Sequence, residues 1–226
     1  MIELAAFLGN PGREYSRNRH NAGFLLAEKL PFSGALCWQK KFRGSYAAID
    51  KTRLAEYLPA GSDVLESGTQ GRLHFIKPET FMNLSGESVA AAASFFKITT
   101  ASIIVIHDEL ELPLGTISLK FGGGLGGHNG LRSMKACFGS ADFWRLRIGI
   151  GRPDSRLPGE GGPPGSGEGI VDWVLSDFGS AEKENLDRAL ETALELLLLA
   201  FMNDPESLLK EWAKKKTEIP PDALIN

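Results

Sequence analysis

Cysteine is nearly absent. Cys37 and Cys137 are the two in a chain of 226 residues, and neither belongs to a metal-type spacing. A disulfide framework is therefore excluded as the source of stability, and a reducing cytoplasm is the expected compartment. Long apolar runs are missing too. The longest, Leu196 to Met202, falls well short of the roughly 20 residues that span a bilayer, so no membrane partner is expected. Met1-Ile2-Glu3-Leu4 offers no basic region before an apolar core, which argues against a signal peptide. Neither H-x-x-x-H nor H-E-x-x-H occurs, so no metal is expected. No G-x-S-x-G elbow occurs either. Leu84-Ser85-Gly86 comes nearest and lacks the first glycine, which leaves Ser85 a helix-start residue rather than a nucleophile.

Net charge is small, −3, and would by itself disfavour a polyanionic partner. Its distribution reverses that reading. Residues 1–53 hold nine Lys/Arg against four Asp/Glu, residues 112–156 hold seven against two, and residues 168–226 hold six against thirteen. Two basic segments on an acidic body fit local engagement of phosphates rather than the wrapping of nucleic acid, and no DNA partner is expected. Hydrophobic and charged fractions of 42% and 23% are those of an ordinary globular protein, and the length suits one large domain over residues 1–226.

What the chain does have is a glycine run. Gly122-Gly123-Gly124-Leu125-Gly126-Gly127-His128-Asn129-Gly130 places five glycines in six positions and then delivers a histidine and an asparagine. Without Cβ atoms a ligand can approach the backbone closely. No Lys-Ser/Thr follows, so this is not a Walker loop, and the dinucleotide fingerprint is set aside for want of the right G-x-G-x-x-G spacing into a helix and of an acidic residue about 20 positions on. A Gly/Ser spacer would not end in His-Asn-Gly.

Apolar patterning gives the elements. Ile2 to Leu8 reads as a buried strand ending at Gly9-Asn10-Pro11-Gly12, and Asn21 to Leu30 as a helix. Residues 43–58 and 72–77 read as strands around a polar loop, and Asn83 to Phe96 as a helix. Ile103-Ile104-Val105-Ile106 is a strand buried on both faces. Thr116 to Phe121 and Arg145 to Ile150 alternate as half-buried strands, with Arg145 and Arg147 on one face. His128 to Phe138 follows the glycine run as a helix. Residues 153–169 form a Pro/Gly-rich loop, and residues 181–216 supply C-terminal helices, the first capped by Ser180. Strands mixed with helices throughout predict an α/β fold, a single three-layer α/β/α domain on a twisted, mixed and largely parallel sheet.

Ligands collect at the carboxyl ends of parallel strands in such sheets. Asn10 follows the first strand, Asp108 the most apolar one, and Asn129 the glycine run. Of four histidines, His20 stands in a polar stretch before a helix, His74 lies in an apolar strand, His107 ends a strand, and His128 can contact a ligand from the loop. Histidine suits proton transfer near neutrality. A fold that placed His20 beside Asp108 would make a base and its orienting acid, and with no nucleophile or metal in view an activated water would be the attacking species.

These residues resemble the bacterial-type peptidyl-tRNA hydrolase family over nearly the whole length. The resemblance rests on Gly9-Asn10-Pro11-Gly12 with Tyr15, Arg19-His20-Asn21-Ala22-Gly23, Lys77-Pro78-Glu79-Thr80-Phe81-Met82-Asn83-Leu84-Ser85-Gly86, His107-Asp108-Glu109-Leu110, the glycine run through Leu131, and Arg145 to Gly151. It implies an enzyme that needs no cofactor and cleaves the ester joining a peptide to tRNA, recycling tRNA in the cytoplasm; a monomer is the default expectation. His20, Asp108 and Asn129 would be its catalytic residues, as base, orienter and positioner of water or oxyanion. Asn10, Tyr15, Met82, Asn83 and His128 would contact the substrate end, and Lys120 and Arg147 would clamp a tRNA phosphate. A catalytically idle RNA-binding relative and a small-molecule esterase or amidase are the rival readings. Two departures stand out: Leu125 replaces the family's usual histidine, and the segments near 59–71 and after Gly151 are longer than usual.

Overall fold

The structure is a computed structural model describing residues 1–58, 70–153 and 167–218. The polar loop before residue 70 and most of the Pro/Gly-rich loop expected over 153–169 lie outside those residues.

The first strand, β1 (Leu4–Phe7), sits mid-sheet and is buried throughout. Its alternation sorts side chains to two cores: Ala5 and Phe7 face one, Leu4 and Ala6 the other. Helix α1 (Ala22–Glu28) follows, then a hairpin of β2 (Gln39–Lys41) and β3 (Gly44–Asp50). Phe42 and Arg43 join the hairpin with φ of 56° and 55°, the two-residue turn whose twist matches paired strands. β2 is exposed and lacks apolar alternation, so nothing in its composition marked it as a strand.

β3 ends at Asp50, earlier than the strand expected over 43–58, and a 3-10 helix runs from Lys51 to Tyr57. Lys51 and Leu54 are buried with Tyr57 packed on the same core, the three-residue period of that helix rather than the two-residue period of a strand. β4 (Arg72–Pro78), α2 (Ser85–Phe96), β5 (Ile103–Glu109), β6 (Ile117–Phe121), α3 (Asn129–Phe138) and β7 (Trp144–Gly149) then lie within a few residues of their expected places.

Three C-terminal helices follow, α4 (Gly167–Leu175), α5 (Lys183–Met202) and α6 (Pro205–Glu218). The start of α4 overlaps the end of the expected loop. The cap expected of Ser180 is displaced: the Gly179 N–H donates to the Glu182 carboxylate at 2.7 Å, and Ser180 begins a short 3-10 turn ahead of α5.

The sheet order is β2-β3-β4-β1-β5-β7-β6. β4, β1, β5 and β7 run parallel, while β2, β3 and β6 add antiparallel edges. α1 and α5 pack one face and α2 and α3 the other, giving the three layers. Each fully buried Phe or Leu in these cores contributes about 1.5–3 kcal/mol of transfer free energy. This topology also decides the glycine run. Gly122, Gly124 and Gly127 do stand at the G-x-G-x-x-G spacing, with Asp142 beyond, so spacing does not exclude a dinucleotide site. The run follows the antiparallel edge strand β6, whereas the fingerprint requires a strand of a βαβ unit.

α2 and α3 touch at Gly86. A Cβ there would lie 2.3 Å from the Ser133 carbonyl oxygen, and the Gly86 N–H already donates to Ser133 Oγ at 2.9 Å. Gly86→Ala is expected to destabilise the fold by about 1–3 kcal/mol, because backbone cannot yield as a flexible side chain would. Urea unfolding measures this, and an unchanged midpoint would contradict the close packing.

Candidate active site

β1 and β5 are neighbours, so their carboxyl ends bring together groups far apart in sequence. Asp108 lies near the end of β5, 2% exposed, and His20 lies in the 3-10 turn Arg19–Asn21, 8% exposed. His20 Nδ1 stands 2.9 Å from Asp108 Oδ1. Burial alone would raise the Asp108 carboxyl, but His20 and His128 outweigh it and hold the group well below the usual carboxylate range. An ionised carboxylate only accepts, so His20 Nδ1 donates. Burial alone would lower His20, and the charge and hydrogen bond of Asp108 outweigh it, raising the imidazole above its ordinary 6.5. His20 Nε2 has no hydrogen-bond partner among the described residues, which leaves it able to take a proton.

The turn that carries His20 is clamped from behind. Arg19 is 4% exposed, donates to both oxygens of Glu182 at 3.0 and 2.8 Å, and lies 3.8 Å above the Trp173 ring. Ser176 accepts from Arg19 Nε and, through its carbonyl, from the Arg19 backbone N–H. On the other side Asn21 holds Asn10: its Oδ1 accepts from the Asn10 N–H at 2.8 Å and its amide donates to the Asn10 carbonyl at 3.0 Å. Asn10 Oδ1 in turn accepts from the Met82 N–H at 2.8 Å. Arg19 and Asn21 escaped the sequence reading. Their position beside His20 was the available signal, but their partners lie in remote segments.

Met82 is buried, and Asn83, next to it, is exposed. Tyr15 is half-buried and meets Phe81 edge-on, ring centroids 6.5 Å apart. An open cleft of about 530 Å³ begins beside these residues, walled by Pro11, Phe42, Phe81 and Leu84 and bordered by Lys40 and Arg43. Ser85 is wholly buried at the start of α2, in keeping with a structural role. His74 is also structural: its Nδ1 pairs with the Tyr46 hydroxyl at 2.7 Å and its ring stacks on Phe96. His107 is buried and donates from Nδ1 to the Asp108 carbonyl at 2.6 Å, and burial holds its pKa well below 6.5.

The glycine run is anchored. Arg145, 2% exposed, donates to the Gly124 carbonyl at 2.6 Å and the Gly123 carbonyl at 3.0 Å. Gly122, Gly123, Gly126 and Gly127 have φ between 57° and 87°, the left-handed region, so residues with Cβ atoms would strain the loop. Leu125 packs partly against the core beside α2 and α3. His128 ends the loop, with Nε2 3.0 Å from Asp108 Oδ1, and Asn129, exposed, opens α3. Lys120 and Arg147 lie on the same face of the sheet as Arg145, opposite the residues of β6 and β7 that fill the core. Arg147 Nε donates to Glu109 Oε2 at 2.9 Å.

Atoms of His20, Asp108 and His128 that could bind a metal lie within 4.8 Å of one another. The ring nitrogens facing Asp108 both carry protons, so the set is a hydrogen-bonded one, and an ion would have to displace both.

A model of the family described as peptidyl-tRNA hydrolase matches residues 4–219. The chain belongs to that family. A curated peptidyl-tRNA hydrolase from Treponema pallidum (strain Nichols) is 44% identical over 218 residues, covering 95% of this chain and 96% of that protein. A crystal structure of the complex of peptidyl-tRNA hydrolase with N-propanol superposes with a TM-score of 0.73 at 33% identity, covering 92% of this chain and 93% of that one. A crystal structure of peptidyl-tRNA hydrolase from Acinetobacter baumannii gives 0.69 at 32% identity, covering 95% and 91%. Peptidyl-tRNA hydrolase is a hydrolase family, and the mixed sheet found here is its fold. Among the described residues no helix is long and apolar enough to cross a membrane.

Proposed function

We propose that this chain carries out its family's hydrolysis, cleaving the ester between peptide and tRNA by a water that His20 deprotonates. The observation that carries the mechanism is the His20–Asp108 contact at 2.9 Å with Nε2 left free. As water oxygen bonds to the ester carbonyl carbon, its proton passes to Nε2, and Asp108 stabilises the imidazolium. Asn129 donates to the developing oxyanion or holds the water. The tetrahedral species then breaks at the tRNA oxygen, which takes the proton back from His20, and the peptide leaves as a carboxylic acid that gives its remaining water-derived proton to solvent.

Asn10 spends its amide oxygen on Met82, so its NH₂ is the end available to a peptide carbonyl. Asn83 offers a second exposed amide, and Met82 and Tyr15 apolar surface. The cleft beside them gives the peptide a path. Arg147 uses Nε on Glu109 and keeps its terminal nitrogens for a phosphate, with Lys120 on the adjacent strand. The intact base and acid favour an enzyme over an idle RNA-binding relative. Cys37 and Cys137 are free and exposed, which suits a cytoplasmic setting.

Purified protein given peptidyl-tRNA in chelator is expected to release free tRNA without a trappable acyl-enzyme. Tight RNA binding without turnover would sink the proposal. Lys120→Ala combined with Arg147→Ala is expected to raise KM by about 10–100-fold, the scale of lost hydrogen bonds to a charged group, with kcat nearly unchanged. A loss confined to kcat would contradict their assignment to binding.

A further inference from the structure

The sequence suggests His128 as a substrate contact, but its hydrogen bonds point elsewhere. Nδ1 accepts from the backbone N–H groups of Gly130 at 3.0 Å and Leu131 at 3.3 Å, capping α3. A ring nitrogen that accepts carries no proton, so the ring's proton sits on Nε2. That nitrogen lies 3.0 Å from Asp108 Oδ1, the same oxygen that takes the His20 Nδ1 proton at 2.9 Å. The two rings stand 4.9 Å apart at their centroids. Both nitrogens of His128 are thus committed to the protein.

We infer that His128 is a positioning residue, which holds the Asp108 carboxylate against His20 and links it to the helix that begins with Asn129. Two donors on one oxygen divide its charge between them. His128 therefore takes part of the field that would otherwise go to the His20 imidazolium, and it moderates the basicity of His20 as well as aiming it. Among the described residues, the other titratable and charged groups around the pair include His107 of β5, whose ring packs 4.9 Å from His128, Arg19 beside His20, whose guanidinium is bound to Glu182, Glu109 next to Asp108, and Arg145, whose charge acts on His107. None of them donates to Asp108 Oδ1. The link to turnover rests on the reading of His20 as base; the hydrogen bonds do not.

His128→Asn separates the two jobs of the ring. Asparagine is among the best helix caps, so its amide oxygen can still accept from the α3 backbone, whereas the longer reach of Nε2 to Asp108 is lost. The variant is expected to melt near the wild-type temperature and to keep KM within a few-fold. kcat is expected to fall by about tenfold, the low end of what loss of an orienting partner costs. The NMR titration midpoint of His20 in the free protein, and the acid limb of kcat/KM, are both expected to rise by about half a unit to one unit, because Asp108 then serves His20 alone. Nitrogen-15 spectra of the wild type are expected to show His128 protonated on Nε2.

A raised KM with kcat and the His20 midpoint unchanged would overturn the inference in favour of a substrate contact. No change in any readout would overturn it in favour of a cap alone. A shifted NMR midpoint with an unshifted kinetic limb would uphold the positioning role and reject His20 as the base.

Discussion

His20→Ala is expected to lower kcat by about 10²–10⁴-fold, the usual worth of a positioned general base, with KM within a few-fold of wild type. No other described side chain presents a free imidazole nitrogen at this place. His107 and His128 both lie close by, but neither offers a lone pair to solvent: His107 Nε2 is unpartnered yet buried, and His128 Nδ1 accepts from backbone N–H groups. Release of free tRNA under single-turnover conditions measures the loss, and near-normal rates in the variant would reject the mechanism. The pH profile supplies a second check. His20 must be neutral to accept a proton, and Asp108 raises its pKa above 6.5. The wild-type kcat/KM profile is therefore expected to fall on the acid side with a midpoint above pH 6.5.

Asp108→Asn should cost more than its isosteric shape suggests. The loss is expected on the order of 10³–10⁴-fold in kcat, the scale seen when a histidine base loses the carboxylate that fixes its tautomer. An amide oxygen in the place of Oδ1 can still accept both N–H groups, but it brings no charge to stabilise the imidazolium. Burial of His20 then acts unopposed, so the surviving activity is expected to show its acid limb displaced downward, opposite to the shift expected for His128→Asn. An upward shift would show that Asp108 does not raise His20. Asparagine is preferred to alanine as the probe because it fills the same buried volume, and thermal unfolding separates loss of chemistry from loss of fold.

Much of this site could be read from the chain, though unevenly. Strand β5 was legible because four consecutive β-branched residues suit burial on both faces, and the helix over 181–202 because its leucines recur on one stripe. His20 and Asp108 were legible as types of group at the ends of elements. The 3-10 helix over Lys51–Tyr57 was not, because a short segment with one deeply buried leucine carries too few residues to tell a period of three from a period of two. The short strand β2 was not, because its stability comes from pairing with β3 and not from any side chain it buries. Arg145 and Arg147 read alike as alternating charges on one face. The fold gave them different work: Arg145 is buried on the carbonyls of the glycine loop, and Arg147 pairs with Glu109 near the surface.

What chain order establishes is the inventory: which groups can accept or donate a proton, which segments bury themselves, and that neither a thiol framework nor a nucleophilic elbow is available. What it leaves undecided is which of those groups meet. The hydrogen bond between His20 and Asp108 spans 88 residues of chain, and it exists because β1 and β5 lie side by side in the sheet. The meeting of His128 with the same oxygen depends further on where the glycine loop sets the start of α3. Local patterns record only what each segment prefers by itself, whereas the division of one carboxylate between two imidazoles is a property of packing among all three segments.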